Sequence, residues 1–159
     1  LYTAYQLDQL ALADRSVAAN DGGKEAHDPV GEVERFLHAR KNCFPALDEA
    51  AEQIAAKIEA AGGFEPWLKE KHGLRVRSLP SEVMMGSLRR FDRHRDEILL
   101  DDGLSAATRQ FQLALQLAHL DLRRDIKAIA GEAGFSAISS ERLARKGLAS
   151  YAAAAMLAP

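Results

Sequence analysis

His119 ends a run, Phe111-Gln112-Leu113-Ala114-Leu115-Gln116-Leu117-Ala118-His119-Leu120, whose apolar character nearly all round predicts a buried core helix. Zinc-dependent peptidases carry two histidines at i and i+4 on such a helix with a glutamate between them. Both imidazoles then reach one metal, and the carboxylate stands beside the metal-bound water. With His119 as the second histidine, the first histidine position is Leu115 and the glutamate position is Gln116. A lone imidazole without a partner ligand or general base neither holds nor uses a catalytic zinc ion. The spacing predicts no metal site and no hydrolysis, and His119 reads as a hydrogen-bonded helix histidine near the core.

Anion binding is the other chemistry on offer. Residues 69–95 hold eight lysines and arginines against three acids, whereas the rest of the chain has an excess of seven negative charges. Arg75 and Arg77 alternate onto one strand face, and Arg89, Arg90 and Arg93 follow on and beside a hairpin, so several guanidinium forks can converge on phosphate oxygens. Met84 and Met85 offer an apolar wall next to them. Cys43 has no histidine, second cysteine or helix N-terminus near it in sequence, and reads as a buried, inert thiol. No serine stands in a Gly-x-Ser-x-Gly elbow, and no glycine-rich phosphate loop is present.

The elements that must position these residues are mostly helical. Alanine occurs 29 times and proline five times in 159 residues. Apolar spacing predicts helices over residues 1–19, from Asp28-Pro29 to Leu37, from Phe44 to Gly62-Gly63, and from Phe64 to Gly73, making residues 1–73 an all-helical part. Residues 74–101 change to period two. Strands are expected at Leu74–Ser78, Ser87–Phe91 and Glu97–Leu100, the last two joined by the polar turn Asp92-Arg93-His94-Arg95-Asp96, giving a small three-stranded antiparallel sheet. Ser105 caps the core helix, whose pattern continues to Gly131, and a closing helix runs from Ser140 to Pro159. The expected fold is thus α+β, predominantly helical, with the sheet inserted before the core and closing helices of residues 105–158.

Size and a formal charge of -2 fit one domain with no overall field for nucleic acid. A single cysteine excludes an internal disulfide, and no Cys or His spacing matches a structural zinc site. No run approaches 18 uncharged apolar residues, and Asp8, Asp14 and Arg15 occupy the place of a signal-peptide core, so a cytoplasmic location is expected. The start at Leu1 and the stop at Pro159 read as a piece of a longer polypeptide.

Several stretches together resemble one family. They are Asp28-Pro29-Val30 through Asp48, His72-Gly73-Leu74-Arg75-Val76, Leu88-Arg89-Arg90-Phe91-Asp92, Phe111-Gln112-Leu113-Ala114, and Ala144-Arg145 through Ala154. They look like the middle domain of short-chain fatty acyl-responsive transcription regulators of the XRE helix-turn-helix class, a domain similar to ImmA and IrrE metallopeptidase-like domains. The resemblance implies a DNA-binding helix-turn-helix and a cysteine-bearing C-terminal domain outside this chain. It also implies control of fatty acid, glyoxylate and methylcitrate genes by acyl-CoA, with DNA bound only through the helix-turn-helix and a homo-oligomeric assembly. Peptidase-like relatives carry ligands at the positions of Leu115, His119 and Leu148 and the general base at Gln116, so three of these four are replaced and no enzyme is expected. For an acyl-CoA effector, Arg75, Arg77, Arg89, Arg90 and Arg93 are the candidate phosphate ligands. Met84, Met85, Leu115 and Tyr151 are candidates for the acyl slot. A residual zinc peptidase-like domain and a purely structural oligomerisation module are the alternatives.

Overall fold

The computed structural model describes residues 28–158, so the helix expected over residues 1–19 lies outside the described residues. Helix α1 (Pro29–Ala39) starts where the sequence places a cap: Asp28 Oδ1 accepts from the Gly31 amide at 3.0 Å and Pro29 occupies the first turn. Helix α2 (Pro45–Ala61) buries Leu47, Ala51, Ile54 and Ile58, one residue per turn. Helix α3 (Phe64–His72) buries Phe64 and Leu68 and closes at Gly73, whose φ of 67° is the left-handed cap that a side chain would strain.

The sheet corrects one expectation. Strand β1 (Arg75–Leu79) is followed by the short helix α4 (Ser81–Met84), strand β2 (Arg89–Asp92) and strand β3 (Glu97–Asp101). Its order is β1-β3-β2; β2 pairs antiparallel with β3 as the hairpin requires, but β1 pairs parallel with β3, so the sheet is mixed and not antiparallel. Composition supplies the reason. Glu97, Ile98 and Leu100 are buried, and the Ile98-Leu99-Leu100 run makes β3 the strand suited to a central place, while the arginine-bearing β1 and β2 tolerate the edges. The link through Pro80 and α4 carries the chain past β3, which then slots between its two predecessors.

Helix α5 (Ala106–Asp121) is the expected core helix, with Ser105 Oγ accepting from the Thr108 amide at 3.2 Å and Leu113, Ala114, Gln116, Leu117 and Ala118 buried. The pattern expected to run on to Gly131 breaks at Leu122, and α6 (Arg123–Glu132) begins there without a side-chain cap. Helix α7 (Ile138–Leu157) packs against α5, α2, α1 and α6. Its buried Ala144, Ala149, Ala152 and Ala153 allow close approach, and each fully buried leucine such as Leu113, Leu117 or Leu148 contributes about 2 kcal/mol. Glu32 fastens α1 to the start of α7, its carboxylate accepting from the Ser136 amide at 2.8 Å and the Ser140 hydroxyl at 2.5 Å.

Cys43 is a second correction. It is exposed, because Lys41 and Asn42 take left-handed conformations (φ 54° and 52°) in the tight turn between α1 and α2 and leave the thiol facing outward. Among the described residues no helix is long and apolar enough to cross a membrane.

Candidate functional site

Helices α5 and α7 pack together and carry the positions that the resemblance assigned to a peptidase centre, and three of these four side chains lie in or against the core. Leu115 is partly buried against the core, Gln116 is 5% exposed, and Leu148 is fully buried. Among the described residues no three metal-ligating side chains gather. His119 differs from its expected setting. It is exposed on the last turn of α5. Desolvation on the protein side of the ring, then the charges of Arg89 and Lys146, hold its imidazole below the ordinary value of 6.5.

The arginines nominated from sequence do not gather round one ligand. Arg75 and Arg77 share a strand face, as the alternation required, and both pair with Glu97, at 3.3 and 3.2 Å. Arg89 turns inward and donates to the Gln112 carbonyl oxygen at 3.1 Å, tying β2 to α5; burial lowers its guanidinium to about 10, so it stays charged at neutral pH. Arg90 donates to the Met84 carbonyl oxygen at 2.7 Å. Met84 is fully buried, whereas Met85 is 82% exposed. Tyr151 faces α2, where its hydroxyl donates to Asp48 Oδ1 at 2.8 Å and accepts from the Phe44 amide at 3.3 Å. Burial, followed by the Asp48 hydrogen bond, raises its phenol. Of the nine nominated residues, Arg90 and Arg93 line a common recess of about 480 Å³ with Phe91 and Leu99. Arg93 lies over the Phe91 ring, 5.8 Å from its centroid.

Arg93 also borders a larger groove of about 630 Å³ that sequence reasoning missed. The first turns of α6 supply Arg123, Arg124 and Lys127; α7 supplies Arg142, Arg145 and Lys146; His119 comes from α5, and Ile126 is apolar. Spacings of i, i+1, i+4 and i, i+3, i+4 place each trio along one helix face. Arg145 is bonded to Glu141, yet its Nε is buried without a partner. Among the described residues Arg123, Arg124, Lys127 and Arg142 make no ion pair, and nearby acids such as Asp121 and Glu132 pair with Lys71, His72 and Arg40. The helical spacing of the two trios was the available signal. Their convergence depended on how α6 and α7 pack.

A small mixed sheet followed by a buried core helix and a long closing helix has a counterpart among known proteins. Residues 69–159 match the IrrE N-terminal-like domain. The chain belongs to this family. It is 31% identical, over 95% of its length, to the "HTH-type transcriptional regulator RamB" of two strains of Mycobacterium tuberculosis. The chain spans 33% of those relatives. It also matches a solved structure described as a Mycobacterium tuberculosis transcriptional regulator, with a TM-score of 0.75 and 26% identity over 83% of this chain and 42% of that one. The IrrE-like chain is therefore homologous to one part of a transcriptional regulator.

Proposed function

We propose that this IrrE-like domain is the effector-sensing part of a bacterial transcription regulator that responds to short-chain acyl-CoA and controls fatty acid, glyoxylate or methylcitrate genes. The observation that supports this reading is a buried core helix packed on the closing helix, with Leu115, Gln116 and Leu148 standing where the resemblance to peptidase-like domains calls for two ligands and the base. Two aliphatic side chains and an amide supply neither a metal ligand set nor a base, so the domain serves binding and not hydrolysis. Homology to RamB supports the regulatory context. DNA is bound through a helix-turn-helix outside this chain, and the regulator works as a homo-oligomer. The effector acts by binding one conformation of the regulator more tightly than another, which biases the DNA-binding state.

Calorimetric titration of the 159-residue chain with acetyl-, propionyl- and butyryl-CoA, with free CoA as control, tests this directly. Saturable binding that changes with the acyl group is expected. Binding identical for free CoA and every ester, or none at all in a chain shown by circular dichroism to be helical, overturns acyl sensing by this domain.

A further inference from the structure

The groove between α5, α6 and α7 gathers cations, of which Arg123, Arg124, Lys127 and Arg142 make no ion pair among the described residues. Seven arginines and lysines border one recess, and at neutral pH they repel one another. Arg123 and Arg124 stand in the first turn of α6, at the positive end of the helix dipole, where a cation weakens the helix. That terminus also lacks a side-chain cap, leaving its amides without one of their usual acceptors. On α7, the Arg145 Nε is buried and unpartnered although its Nη2 bonds to Glu141. These arrangements cost stability in the unliganded domain, and an anion in the groove relieves the mutual repulsion and the unfavourable charge at the α6 terminus.

We propose that this groove is the binding site for a small molecule carrying two or more phosphate groups. A single phosphate engages two or three forks at most, whereas cations here face the recess from α6, from α7 and from Arg93 on the hairpin turn, so several phosphates are needed to match them. The volume, about 630 Å³, is that of a small-molecule pocket. His119 adds a hydrogen-bonding group that can take up a proton once phosphate replaces repulsion with attraction. The inference rests on the reading of the domain as an effector-binding module, and apart from Arg93 it places the phosphate end of the effector on residues outside the arginine-rich segment of the sequence.

The probe is inorganic pyrophosphate, titrated into the 159-residue chain at constant ionic strength, with sulfate as the control anion. One saturable site is expected, weakened about tenfold or more by Arg124→Ala or Arg142→Ala and little changed by Arg75→Ala. Arg124 and Arg142 are exposed and make no ion pair among the described residues, so both variants are expected to fold, and circular dichroism checks that they do. Equal losses for all three variants, or no saturation, overturn the site in favour of a diffuse field. Failure of pyrophosphate together with tight, Arg142-dependent binding of a 20-base-pair DNA duplex (length set by the experiment, about two helical turns) overturns it in favour of a DNA-facing surface. If acyl-CoA binds the chain with an affinity indifferent to Arg124→Ala and Arg142→Ala, this site falls and acyl sensing stands. If pyrophosphate binds as expected and acyl-CoA shows no acyl dependence, the site stands and acyl sensing falls.

Discussion

The Tyr151 hydroxyl donates to Asp48 Oδ1 at 2.8 Å, joining α7 to α2 through a bond between residues 103 positions apart. The same oxygen accepts from the Phe44 amide, so it satisfies the uncapped start of α2. Its ring also meets Phe44 edge-on at 5.3 Å.

Tyr151→Phe keeps the ring contact and removes both hydrogen bonds. A stability loss of about 1 kcal/mol is expected in urea unfolding, since the Phe44 amide loses its acceptor. The pyrophosphate titration should be unchanged, because Tyr151 faces α2 and does not border the groove.

Glu97 and its two arginines give an asymmetric pair of outcomes. Glu97 is buried with its side chain 6% exposed, while Arg75 and Arg77 are 67% and 52% exposed. Glu97→Gln leaves two cations that water already hydrates, and should cost under about 1 kcal/mol. Replacing both arginines by alanine leaves a buried carboxylate without its partners and should cost about 2 kcal/mol. Urea midpoints of the two variants check the order.

His119 makes the domain sensitive to acid. Its folded-state imidazole titrates below the ordinary 6.5, so the unfolded chain binds the proton more readily. The stability this contributes is fully present above pH 6.5 and is lost as pH falls through that value toward the folded one. His119→Gln should flatten the stability profile between pH 7 and 5 (pH values set by the experiment, about one to two units around the imidazole range). Pyrophosphate binding near pH 6.5 should be accompanied by proton uptake in the parent and by less in the variant, read from binding heats in buffers of different ionisation enthalpy.

Zinc supplies a further check. After incubation with Zn²⁺ and dialysis, metal analysis should give far less than one equivalent per chain, because Leu115, Gln116 and Leu148 leave His119 without companions. Stoichiometric zinc abolished by His119→Gln would revive the residual peptidase reading.

Much of this protein was legible in its residues one neighbourhood at a time. The caps at Asp28 and Ser105, the turn at Gly73 and the buried face of α5 follow from bonds and spacings within a few positions. The placement of β3 between β1 and β2 was not, since a short hairpin fixes its own two strands and says nothing of which edge a third will join. Nor was the groove. Its two cationic trios sit on α6 and α7, about a helix length apart along the chain, and the segment with the greatest local excess of arginine spends Arg75 and Arg77 on Glu97 and Arg89 on a backbone carbonyl. Local sequence determines which helices and turns form, because their hydrogen bonds are short-range. Only packing decides which charges are neutralised and which converge, because those pairings link residues far apart in the chain.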